Sequence, residues 1–208
     1  INVLRPEGLS NEEVYYGELG YTAVLSKGIT LNATTYYARY ERMIGTLEFS
    51  DPLGLGRAFY GVDNLDGADA YGFESEIAWD GSKGRLSSWF AYNALDPDAG
   101  PTQALRSFRP AEYKLGTTAR WFATDSITLN ATYLYTSTTE NTPNSSLPVD
   151  TSHRVDLALT KVFCPRAELT VGVSDIFDDT ELLAQQAGQL SPHEVPGRTA
   201  FITFRVTY

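Results

Sequence analysis

RTAFITFRVTY, residues 198–208, alternates without a break. Ala200, Ile202, Phe204, Val206 and Tyr208 fall on one side, and Thr199, Phe201, Thr203, Arg205 and Thr207 on the other. A period of two with no turn residue inside it is a β-strand with one apolar face. One such strand fits any β-protein, so the question is whether the pattern recurs.

It recurs along the chain. With 198–208, nine candidate strands read at 13–24, 29–47, 69–80, 85–95, 112–123, 127–138, 153–164 and 167–177. About ten residues of alternation, at ~3.3 Å each and strongly tilted, cross the hydrocarbon core of a bilayer. The connections after odd strands are short: 25–28, 81–84, 124–126 and 165–166. Those after even strands are long and rich in Gly, Pro, Asp and Asn: 48–68, 96–111, 139–152 and 178–197. The expected fold is all-β, an up-and-down antiparallel transmembrane β-barrel with short periplasmic turns and long extracellular loops.

Aromatic placement points the same way. Tyr21, Trp79, Trp121, Phe163 and Tyr208 sit near the short-turn ends of their strands. Tyr37, Tyr40, Tyr71, Tyr92, Tyr113, Tyr133, Tyr135 and Phe177 sit near the long-loop ends. Two girdles at two heights are expected where hydrocarbon meets headgroup, because an amphipathic ring is stable there. The alternate positions are polar. Glu74, Glu76, Arg120, Arg154, Asp156 and Arg205 all read as facing a wet lumen, whereas Lys161 falls on the lipid side near a strand end, where it can snorkel.

Composition narrows the function. No run of eighteen apolar residues exists, so no transmembrane helix is expected, which leaves spanning strands open. A net charge of −10 argues against nucleic acid, whose phosphates need a basic footprint. The single cysteine, Cys164, excludes a disulfide framework. Residue 1 is Ile with no export signal, and nine strands is an odd number, whereas single-chain bacterial barrels are normally even. The expectation is therefore a fragment whose remaining strands precede Ile1. ITLNATTYY (29–37) recurs as ITLNATYLY (127–135), and upward strands begin about forty residues apart. A propeller shares that spacing, but each period here holds two long strands rather than four short ones.

Six segments, in order, resemble the C-terminal part of TonB-dependent outer-membrane receptors. RPEGLSNEEVYYGELGY (5–21) is similar to the start of a late barrel strand, and VDNLDGADAYGFESEIAW (62–79) to a stretch with Asn64, Ala68, Gly72, Glu74 and Glu76 in place. RPAEYKLGTTARW (109–121) has Tyr113 where His is frequent, and SHRVDLALTKVF (152–163) looks like another late strand. VGVSDIFDD (171–179) carries Ser174-Asp175 where the family usually has Asn, and the PGR-plus-strand ending closes the series. The resemblance implies about the last nine strands of a roughly 22-stranded barrel around a plugged lumen. It implies import of a scarce ligand, such as a siderophore–iron chelate, with energy from the TonB complex. The plug and TonB-contacting segment would lie outside this chain. The implied surroundings are the bilayer and lipopolysaccharide of the bacterial outer membrane. A truncated passive porin-like channel is the alternative, and a soluble β-propeller or sandwich the third.

Other constellations read as structural. Asp150, Ser152 and His153 invite a hydrolase triad, but adjacent strand residues point to opposite faces, and no enzyme is expected. Asp63–Glu74 has the length of an EF-hand loop, with Leu65 and Ala68 where a ligand and Gly are needed; no metal or cofactor is expected. Asp63, Asp66 and Asp69 read as a solvated acidic loop. In 48–68, Arg57, Phe59 and Tyr60 combine a cation with aromatics between glycines and form the candidate ligand-touching patch. ELLAQQAGQL (181–190) has the makings of a short helix, but reads first as an extracellular loop folding over the lumen.

Overall fold

A computed structural model of the chain describes residues 3–4, 8–49, 59–64, 66–98, 111–138, 150–179, 182–183, 193–194 and 196–207. In chain order the strands are β1 (Val3–Leu4), β2 (Glu13–Ser26), β3 (Ile29–Glu41), β4 (Ile44–Phe49), β5 (Phe59–Asn64), β6 (Ala68–Gly81) and β7 (Gly84–Pro97). They continue with β8 (Tyr113–Thr124), β9 (Ile127–Thr136), β10 (Ser152–Cys164), β11 (Ala167–Ser174), β12 (Leu182–Leu183), β13 (His193–Glu194) and β14 (Thr199–Val206). Nine of them form one sheet in the order β14-β11-β10-β9-β8-β7-β6-β3-β2, every pair antiparallel.

Register carries one parity across the whole sheet. From Ile77 the paired positions run to Leu31 on one side and to Ser88 and Thr117 on the other. From Leu129 they run to Trp121, Leu159, Val171 and Ile202. This side is the apolar face. The opposite, polar face joins Asn32, Glu76 and Trp89, then Thr118, Thr132 and Asp156, then Glu168 and Arg205. A slip of one residue anywhere would exchange the faces, so the alternation itself fixes the pairing.

The sheet is a single layer. Among the described residues no large side chain is fully buried, and the buried apolar residues are Ala38, Ala68 and Ala111. Meanwhile Leu19, Trp121, Leu157, Ile202 and Phe204 stand exposed. One nine-stranded sheet, neither two facing sheets nor four-stranded blades, overturns the sandwich and propeller alternatives. Three hydroxyls on the apolar face are satisfied within the sheet: Thr35 Oγ1 donates to the Gly72 carbonyl (3.0 Å), and the Ser88 and Thr117 hydroxyls bond each other (2.9 Å).

The short connections are tight turns. Gly28, at φ +81°, occupies a left-handed position that glycine adopts without strain. Three strands entering short turns bulge just before them, at Val24/Ser26, Phe122/Thr124 and Val162/Cys164, as strands do at barrel rims.

At the long-loop end two strand boundaries are corrected. The strand expected over 29–47 stops at Glu41, because Arg42 turns to φ +53° and the chain restarts as β4, which pairs with β5. Asn64 Nδ2 donates to the Arg42 carbonyl (2.8 Å) and holds this corner. The strand expected over 167–177 stops at Ser174, because buried Asp175 sits at φ +52° with its amide bonded to Asp156 Oδ1 (2.8 Å). Phe177 therefore lies in a turn. Within 181–190, Leu182–Leu183 pair as a strand with His193–Glu194, and residues 181 and 184–190 lie outside the described residues.

The 175–179 turn ties three strands together. Asp179 Oδ2 accepts from the His153 amide (2.7 Å), and Asp178 Oδ1 from the Arg198 amide (2.7 Å). The Arg198 amide bond, then the Arg198 charge, hold the Asp178 carboxyl below the usual aspartate range. A depressed carboxylate contributes stability above its unfolded pKa, near 3.9, and loses it as pH falls through the lower folded value. The protection factor of the Arg198 amide is expected to fall as pH drops below about 3.9 and to be low at all pH in Asp178→Ala. Protection unchanged down to pH 2 in the parent chain would contradict this role.

Candidate functional site

Strand parity places Glu74, Glu76, Arg120, Arg154, Asp156 and Arg205 together on the polar face. They form several local networks rather than one cluster. Ser87 Oγ donates to Glu76 Oε1 (2.7 Å), and Arg120 Nε to Asn130 Oδ1 (2.9 Å). Arg154 Nε bonds Asp156 Oδ1 (3.0 Å), and Arg205 Nη1 lies 3.2 Å from Glu168 Oε1. The hydroxyls of Thr160 and Thr170 bond each other (3.0 Å).

A cavity of about 310 Å³ lies on this face over β3, β6 and β7, walled by Asn32, Thr34, Glu74, Glu76, Trp89 and Ala91. Just beyond it Tyr36 donates to Asn93 Oδ1 (2.6 Å) and stacks on Tyr16 with ring centroids 6.3 Å apart. Trp89, Tyr36 and Asn93 were not among the residues singled out from sequence. Parity had the signal: Trp89 pairs with Glu76 and so faces with it.

Aromatic rings on the polar face lie over glycines of the next strand. Tyr36 covers Gly72, Trp89 covers Gly116 and Phe201 covers Gly172, each a directly paired position. A side chain at any of these glycines would collide with the ring.

Tyr21, Trp79, Trp121 and Phe163 are exposed on the apolar side, and Tyr208 lies outside the described residues. At the other end Tyr37 pairs with Tyr71 and Tyr92 with Tyr113, the latter with rings 5.2 Å apart. His153 joins Tyr133 and Tyr135 there, its Nδ1 2.9 Å from the Tyr133 hydroxyl. Tyr40 is a correction: its parity places it on the polar face, opposite Val14 and Ala68. Beyond these rings Arg39 makes a two-point bond to Asp98 (2.9 and 2.5 Å) and approaches Asp69 (3.4 Å). That pairing holds the Asp98 carboxyl below its ordinary range.

Of the candidate patch, Arg57 lies outside the described residues. Phe59 and Tyr60 begin β5, paired with Phe49 and Glu48. Ser152 and His153 are split by strand parity, with Ser152 buried and His153 among the tyrosines. Among the described residues no group of His, Cys, Asp or Glu is arranged to hold a metal ion.

No family model and no curated protein matches the sequence. Solved structures do match. A ferric-catecholate import receptor from E. coli superposes with TM-score 0.76 over 98% of this chain at 15% identity. The ferripyoverdine receptor of the Pseudomonas aeruginosa outer membrane gives 0.71 over 94% at 16%, and a variant of that organism's ferric enterobactin receptor 0.69 over 95% at 18%. The chain has the fold of a siderophore receptor's barrel wall. It spans 30%, 27% and 31% of those three receptors respectively.

Proposed function

We propose that the chain is the C-terminal barrel portion of an outer-membrane receptor that imports an iron chelate or similarly scarce ligand with TonB-supplied energy. The observation that carries this is the single sheet with uninterrupted face parity, which superposes over nearly its whole length on receptors whose names state ferric ligands. In this reading the apolar face meets lipid and the polar face lines the lumen. The networks around Glu76, Asn130, Asp156 and Glu168 stiffen the wall and solvate the path. The remaining strands, the plug and the TonB-contacting segment belong to the rest of the protein, and β2 and β14 pair with those strands. Arg57, Phe59 and Tyr60 remain the proposed ligand-touching patch of the first long loop. Tyr21, Trp79, Trp121, Phe163 and Tyr208 form the girdle at the periplasmic interface, and lipopolysaccharide surrounds the outer end.

Radioactive iron uptake by iron-starved cells tests this. Deleting the gene is expected to abolish uptake of at least one ferric siderophore from a panel, and loss of TonB function to abolish it equally. Uptake that survives TonB loss and rises linearly with concentration would replace the energised importer with a passive channel.

A further inference from the structure

The cations are unevenly paired. Arg39, Arg42, Arg85, Arg154, Arg198 and Arg205 each lie within ion-pair distance of a carboxylate. Among the described residues no such partner is found for Lys27, Lys83, Lys114, Arg120, Lys161 and Arg166. Lys114 and Arg120 lie on the polar face. The other four all lie at the short-turn end, one to each turn. Lys27 is in the β2–β3 turn, Lys83 in the β6–β7 turn and Arg166 in the β10–β11 turn, all exposed. Lys161 belongs to β10 but reaches the β8–β9 turn, where its Nζ donates to Ser126 Oγ (2.6 Å). Successive short turns are two strands apart in the sheet, so this is one uncompensated cation about every 10 Å along the rim. Carboxylates at that end do not cancel it. Asp80 is paired with Arg85 (2.8 Å) and Glu168 with Arg205 (3.2 Å), which leaves Asp125.

Directly above this row, on the apolar side, stand Tyr21, Trp79, Trp121 and Phe163, all exposed. Rings that prefer the headgroup level and ammonium groups just beyond them match the two parts of one molecule. The rings lie along the upper acyl chain and glycerol, and the cations meet the phosphate. The chain as a whole is strongly acidic, at −10, so a basic rim confined to one end is not a by-product of composition.

We propose that the short-turn rim is a binding surface for anionic phospholipid, with Lys27, Lys83, Lys161 and Arg166 contacting phosphodiester headgroups of the adjoining leaflet. This rests on the reading of the apolar face as the lipid-facing one. A basic residue beside an anionic membrane surface contributes about five-fold in association, and the effect decays with salt.

The test uses the protein purified from its native membrane and reconstituted in phosphatidylcholine bilayers, with spin-labelled phosphatidylglycerol or phosphatidylcholine as probe. The expected result is a several-fold preference for phosphatidylglycerol that collapses toward unity in 0.5 M salt. The triple variant Lys27→Gln, Lys83→Gln, Arg166→Gln is expected to lose most of it while keeping heat-modifiable migration. If that variant does not assemble, the salt series on the parent protein decides. Equal association of the two lipids, a preference insensitive to salt, or one retained in an assembled triple variant would overturn the proposal. Complete competition by millimolar inorganic phosphate would also overturn it, by assigning the rim to a free anion. A protein that does not enter phosphatidylcholine bilayers at all fails the lipid-facing reading instead.

Discussion

Leu157→Arg is expected to destabilise the protein in lipid bilayers by about 2–4 kcal/mol, whereas Thr118→Arg is expected to change stability by less than about 0.5 kcal/mol. Leu157 lies mid-strand in β10, pairs with Ala131 and Val173 on the apolar face, and is 45% exposed. In water, arginine at so exposed a position on one face of a sheet is nearly neutral, since the guanidinium stays hydrated. In hydrocarbon it must be dehydrated or drag water and headgroups inward, and the cost is greatest near the midplane. Thr118 pairs with Ser87 and Thr132 on the polar face, where a charge remains wet. Denaturant unfolding from phospholipid vesicles measures both variants. Equal, small effects would mean that the apolar face does not meet lipid.

Gly172→Val is expected to cost about 1–3 kcal/mol, and more than Gly116→Val. A side chain at Gly172 meets the Phe201 ring and also the Leu157 carbonyl oxygen at 2.8 Å, which is backbone of the neighbouring strand. At Gly116 the three nearest atoms all belong to the Trp89 ring, and a side chain can rotate away. A double-mutant cycle separates the two causes. Adding Phe201→Ala should recover only part of the Gly172→Val loss, whereas Trp89→Ala should recover most of the Gly116→Val loss. Full recovery in both cycles would show that ring contact is the whole constraint.

Much of the fold was legible because a spanning strand leaves a simple trace. Where one face meets an apolar medium and the other a polar one, every second residue is constrained, and 127–135 or 198–206 can be read directly. The misread boundaries share one cause. Arg42 and Asp175 adopt positive φ without being glycine, so no local signal marks them. They are held by Asn64, 22 residues from Arg42, and by Asp156, 19 from Asp175. Tyr40 departs for a different reason: its height along β3 matches the other tyrosines, but its parity turns it to the polar face.

The candidate site was legible only as a set of polar positions. Glu74 and Glu76 share a face by spacing alone, but their cavity needs Asn32 and Trp89 from β3 and β7. The glycine–aromatic contacts need the register of Tyr36 with Gly72, of Trp89 with Gly116 and of Phe201 with Gly172.

The sequence by itself determined the strands, their direction, the alternation of short and long connections and the two faces. Each of these follows from local periodicity and from which residues tolerate hydrocarbon or water. Tertiary structure alone decided where strands stop at the long-loop end, which polar groups pair, and which cations at the short turns have no carboxylate partner. Those outcomes depend on hydrogen bonds and ion pairs between residues far apart in the chain, and adjacent strands bring such residues together only once their register is set.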